Sequence, residues 1–152
     1  MRSKLLAAAS AALTLAFATG AWAGDKNDVT LRTAFGASAI QSYTWGATNI
    51  TSTGSGGGGA GKVVLQDLQV TRAIDSQSSQ LLGAVNSGLH LACVELTDGS
   101  LKITLRDVSV SSYLVGGSSG SKTPTVEQVS LSFASFAYAV DGVTQGTAAA
   151  CQ

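Results

Sequence analysis

The chain has 152 residues, nine Lys+Arg against nine Asp+Glu, 18 Gly, one Pro and two Cys, with only 12% charged residues. That length fits one compact domain, and a charged fraction far below the usual ~25% carries neither the basic field of a nucleic-acid binder nor an acidic disordered tail. Bulk charge therefore recruits no partner.

The N-terminus reads as a secretory signal peptide over residues 1–23. Arg2 and Lys4 form the positive start, Leu5 to Ala18 the apolar run, and Ala21-Trp22-Ala23 the small-x-small site, with cleavage expected between Ala23 and Gly24. The run is shorter than the ~20 apolar residues of a membrane-spanning helix. Cleavage removes two basic residues and no acidic one, leaving 24–152 as a slightly acidic single domain with no expected membrane association. The expected localisation is exported, periplasmic or secreted.

Strands are expected at Val29 to Phe35 and Ile40 to Gly46, followed by a loop from Thr51 to Gly61 that contains Gly56-Gly57-Gly58-Gly59. Residues 62–74 are rich in β-branched side chains and alternate at Leu68, Val70, Arg72 and Ile74, which predicts one strand. Asp75 or Ser76 can cap a helix whose stripe is Leu81, Leu82 and Val85 and whose end is Ser87-Gly88. A further strand at Leu89 to Thr97 is expected to turn through Asp98-Gly99 into a strand from 100 to 115.

In that strand the apolar set shifts from Leu101, Ile103 and Leu105 to Val108, Val110 and Leu114. A second shift separates Val129, Leu131 and Phe133 from Phe136, Tyr138 and Val140 in the strand over 125–140. Such shifts predict bulges or sharp bends, and two long bent strands predict a barrel or folded sandwich. Gly116 to Thr125, with Pro124, is a loop, and Val143 to Gln152 ends in small residues.

Cys93 and Cys151 both survive cleavage. An even pair in an oxidising compartment can close a disulfide contributing ~4 kcal/mol in the chain-entropy model. The alternative is a buried Cys93 and a free Cys151.

Gly56-Gly57-Gly58-Gly59-Ala60-Gly61-Lys62 spells a phosphate loop as far as its lysine, but Val63 stands where Mg²⁺ needs a hydroxyl, and a strand follows where a helix is required. Gly116-Gly117-Ser118-Ser119-Gly120 has the spacing of a nucleophile elbow without the helix that should follow. His90 is the only histidine and two distant cysteines complete no metal set, so neither a catalytic set nor a cofactor is expected. Asp67 and Glu95 read as ordinary strand charges.

Tyr43-Thr44-Trp45-Gly46, the Gly56–Lys62 loop running into Gln66-Asp67-Leu68, the strand Leu101 to Ser112, the Gly116 to Gly120 loop and Glu127 to Phe133 resemble, in that order, the haemolysin-coregulated protein (Hcp) family of type VI secretion tube subunits. The resemblance spans about residues 28–140. It implies a mainly β fold: a small, tail-tube-like β-barrel of two packed sheets with one short α-helix.

It also implies a non-enzymatic protein that assembles with itself into hexameric rings. A subunit-interface loop then falls at Thr51, Gly54, Gly56, Gly57, Gly58, Gly59, Gly61 and Lys62. Secretion spike and sheath components and effector proteins are the further implied partners. The alternative is an exported binding module that kept the barrel.

Overall fold

The computed structural model describes residues 28–50, 61–120, 122 and 124–152. In chain order the elements are β1 (Val29–Thr33), β2 (Gly36–Ile40), β3 (Ser42–Thr44), β4 (Ala47–Ile50), β5 (Lys62–Leu65), β6 (Leu68–Ala73), α1 (Ser78–Ser87), β7 (His90–Asp98), β8 (Leu101–Gly116), β9 (Val126–Val140) and β10 (Val143–Gly146). The expected signal peptide with its expected cleavage site at Ala23 and Gly24, and the expected interface residues Thr51, Gly54, Gly56, Gly57, Gly58 and Gly59, lie outside the described residues.

One antiparallel eight-stranded sheet runs β2-β1-β7-β8-β9-β6-β3, with β10 added to the far half of β9. Its two ends, β2 and β3, are separated in the chain by Gln41 alone, whose N–H donates to Thr71 O on β6 at 2.9 Å. The sheet therefore curls until its ends nearly meet. The expected barrel forms, and its packed halves belong to this single sheet. Its interior is filled by side chains such as Leu31, Leu68, Leu96, Leu105 and Leu131, none more than 1% exposed. Each contributes about 1.5–3 kcal/mol by burial.

The apolar shifts of the two long strands have one shared cause. Leu91, Val108 and Phe133 lie side by side in one row, and Val94, Leu105 and Phe136 in another, all six packed in or against the core. On every strand the two rows are three residues apart, so two consecutive residues point away between them. The pairing register is the same on both sides, and Asp107 at the bend has φ 51°. A bulge adds a residue to one strand only. Here three strands bend together, and β9 has no bulge at its shift. The register does shift farther along β8, between Val110 and Ser112.

Other expectations are corrected. Residues 62–74 form two strands in different sheets, because Gln66 and Asp67 break the run between β5 and β6. The β7–β8 turn is Gly99-Ser100, and Asp98 still pairs with Leu101 as a strand residue. Chain 29–46 holds three strands, since β2 follows β1 through a tight Ala34-Phe35 turn. β10, for which no strand was expected, folds back on β9 through Asp141-Gly142.

Helix α1 begins after Gln77, with neither Asp75 nor Ser76 as its cap residue, and ends as expected at Gly88, φ 64°. Its buried face is Ser78, Leu81 and Ala84, whereas Leu82 is 44% exposed.

Candidate assembly surface

β4 and β5 form a separate two-stranded sheet, pairing Ala47 with Leu65 through Ile50 with Lys62. It joins the barrel where Gln66 N–H donates to Gly46 O at 2.9 Å. Every residue of both strands is exposed, including Ile50, Val63, Val64 and Leu65. Strand alternation places Ile50 and Val64 on one face and Val63 and Leu65 on the other. A lone hairpin of this size is marginal in water, and apolar side chains on both faces suit a surface that another chain covers. Of the expected interface residues, Gly61 and Lys62 are described. Lys62 opens β5, so no helix N-terminus follows the glycines to hold phosphate.

The seam between β2 and β6 holds a buried polar network. Arg72 and Glu127 are cross-strand partners, 1% and 0% exposed, with Arg72 Nε donating to Glu127 Oε1 at 2.5 Å. Arg72 also donates to Ser38 Oγ on β2 and to Asp75 Oδ1, the latter at 2.7 Å. Ser38 Oγ lies 2.8 Å from Asp75 Oδ2, and Tyr113 O–H donates to Glu127 Oε2 at 2.5 Å.

Burial pushes the Asp75 carboxyl up, but the Gln77 N–H, the Ser38 hydroxyl and Arg72 outweigh it and hold the group below the usual range. Burial and the Glu127 carboxylate together raise the Tyr113 phenol. These contacts tie the barrel's two ends and the approach to α1 together. The strand pattern carried a signal for them, since Arg72 is in phase with Leu68 and Val70, and Glu127 with Val129 and Leu131.

Trp45, just beyond β3, packs its ring against Phe136 and Tyr138, with centroids 5.2 and 5.8 Å apart. Tyr43 O–H donates to Asp98 Oδ2 at 2.8 Å, linking β3 to the end of β7. Burial first, then that hydrogen bond and the Asp98 charge, push the Tyr43 phenol up to about 12.

A C-terminal strap follows β10. At Gly146, φ 100°, the chain leaves the ladder so close to β9 that a Cβ would stand 2.3 Å from Phe136 O. The N–H groups of Thr147 and Ala148 both donate to that oxygen, at 2.9 and 3.0 Å. Arg106 on β8 donates to Ala149 O at 3.0 Å and to Ala150 O. Cys151 is then disulfide-bonded to Cys93 on β7, with Cα atoms 5.8 Å apart and a separation of 58 positions in sequence.

Cys93, Arg106 and Ser135 form one outward-facing row beside the bend, so the strap crosses three strands on the barrel's outside. Thr104 and Ala137 face the same outer side and are 4% and 8% exposed. Exposed hydrogen bonds contribute about 1 kcal/mol each, whereas ordering each strap residue costs about 1–2 kcal/mol of backbone entropy. The covalent bond therefore decides whether the strap stays docked.

The remaining candidates do not converge. His90 Nδ1 lies 2.6 Å from Asp107 Oδ1 with both side chains 61% exposed, and Ser118 sits in the connection between β8 and β9, two strands. Asp67 Oδ2 accepts from Ser111 at 2.6 Å, while Glu95 pairs with Lys102 at 3.2 Å. Among the described residues, no group of three or more His, Cys, Asp or Glu side chains is placed to hold a metal ion. None of their helices is long and apolar enough to cross a membrane.

A sheet curled into a nearly closed barrel with one helix is a fold this chain shares with solved type VI secretion proteins. A structure of a type six secretion system protein superposes with a TM-score of 0.67 at 21% identity, covering 74% of this chain and 82% of that one. Hcp1 from Salmonella typhimurium gives 0.63 at 24% identity over 78% and 91%, and a type VI secretion system effector from Yersinia pestis gives 0.66 at 15% over 79% and 98%.

The family described as "Type VI secretion system effector, Hcp" matches residues 22–139, and the chain belongs to it. Protein hcp1 of Pseudomonas aeruginosa is 40% identical over 82 residues, which span 48% of this chain and 50% of that protein.

Proposed function

We propose that this chain is an exported, non-enzymatic Hcp subunit that assembles with copies of itself into rings, hexameric by family analogy, and that the rings stack as a tube able to carry effector proteins. The observation that carries the reading is the β4–β5 hairpin, a two-stranded sheet with Ile50, Val63, Val64 and Leu65 exposed outside the barrel core. Family membership supports it independently. The segment from Thr51 to Lys62 links β4 to β5 in the chain and under this reading belongs to the same contact. Spike and sheath components of the secretion apparatus are the further partners under this reading.

The test is native mass measurement and electron microscopy of the purified chain beside a Val63→Glu, Leu65→Glu double variant. Rings are expected for the unmodified chain and loss of assembly with unchanged circular dichroism for the variant. A stable monomer at high concentration overturns the assembly reading, and a variant that still forms rings overturns the role of the hairpin.

A further inference from the structure

We propose that the Cys93–Cys151 bond is a site of thiol–disulfide exchange on the folded protein, through which an external dithiol releases the C-terminal strap while the barrel stays intact. The bond lies on the outside of β7, and neither sulfur belongs to the core cluster. A groove of about 220 Å³ opens directly onto it, lined by Arg32, Thr33, Glu95 and Gln152 beside both cysteines. An attacking thiolate therefore has access without any opening of the barrel.

Geometry favours attack on the Cys151 sulfur. Cys151 follows the last hydrogen-bonded strap carbonyl, Ala150 O, and belongs to no strand, so it can adjust into the straight S–S–S arrangement that exchange requires. Cys93 is the leaving group, held rigidly in β7 with Arg106 as its cross-strand partner. A guanidinium beside a developing thiolate lowers its pKa, and a thiol of lower pKa leaves faster.

In the first step the dithiol's thiolate forms a bond to Cys151 Sγ, the Cys151–Cys93 bond breaks, and its electron pair remains on Cys93. The second thiol of the reagent then displaces Cys151, and both cysteines take up protons. The protein is reduced by two electrons and the dithiol is oxidised to its cyclic disulfide.

Once the bond is broken, the strap keeps only its hydrogen bonds to Phe136 and Arg106 and undocks. The barrel core, its seam network and β10 contain neither cysteine, so they persist. The partner implied is a dithiol reagent or a dithiol oxidoreductase acting on the exported protein. Nothing in this step depends on ring assembly.

The test treats the purified oxidised chain with dithiothreitol without denaturant. Alkylation is read by mass, barrel integrity by circular dichroism and Trp45 fluorescence, and strap release by carboxypeptidase. Expected are alkylation of both cysteines, unchanged spectra, and loss of residues 147–152 to the protease only after reduction. Cys151→Ser, and separately Cys93→Ser, should show that protease sensitivity with no reductant present. A bond that resists reduction until denaturant is added, a reduced strap that stays protected, or a barrel that unfolds on reduction each overturn the proposal.

Discussion

Arg72 and Glu127 stand directly opposite each other on β6 and β9 with no solvent on either side chain, joined by a 2.5 Å hydrogen bond inside an otherwise apolar barrel. Two charges in such a place are tolerable only together, because each supplies the hydrogen bonds that water would have given the other. The pair also sets a direction. Arg72 reaches on to Ser38 and Asp75, and Glu127 to Tyr113, so the barrel's closing seam and the turn into α1 share one network.

Removing one partner should therefore cost far more than removing both. Arg72→Met leaves the Glu127 carboxylate buried with Tyr113 as its remaining side-chain donor, an expected loss of about 3–5 kcal/mol. The Arg72→Met, Glu127→Gln double variant should recover much of this, since a neutral amide is easier to bury and still accepts from Tyr113. Denaturant midpoints of the two variants decide the matter. Equal destabilisation in both would show that the pair is not coupled.

The phenol of Tyr43 predicts the behaviour at the alkaline end. Its folded value of about 12 lies above the ordinary 10, so folding favours the protonated form. That contribution is fully present below pH 10 and is lost as pH rises through about 12. Stability should fall across this window, and tyrosinate absorbance should show a late component from Tyr43 beside the also raised Tyr113. In Tyr43→Phe that component should shrink and the decline become shallower. A late component unchanged by the substitution would assign it elsewhere.

Gly146 is the hinge of the strap. Alanine there would need a left-handed backbone and would push its Cβ against the Phe136 carbonyl. The expected result for Gly146→Ala is a strap displaced from Phe136, with weakened amide protection at Thr147 and Ala148 and a loss of about 1–3 kcal/mol. Hydrogen exchange on the oxidised protein measures it. Unchanged protection would place the hinge at another residue.

The long strands were legible because β8 and β9 alternate strongly and because Gly-rich or turn-forming residues bracket them. Even the bend was visible as a change of apolar phase in each strand. That the shifts belong to one row through Ala92, Asp107 and Ala134 was not, since only the pairing register brings three distant segments side by side. β2 and β4 escaped notice because Gly36 to Ile40 and Ala47 to Ile50 are short and built largely from small or polar residues. β10 is read only against β9, which supplies all of its ladder partners.

The residues by themselves determined a mainly β chain, one helix ending at Gly88, and a family likeness carried by ordered blocks. These follow from local periodicity and turn chemistry, which depend on near neighbours in the chain. Tertiary structure decided what depends on distant ones: that the sheet closes at Gln41, that Arg72 meets Glu127, and that the small-residue tail becomes a strap pinned to Cys93. Each joins segments whose spacing in sequence says nothing of their separation in space, and only the curl of the sheet brings them together.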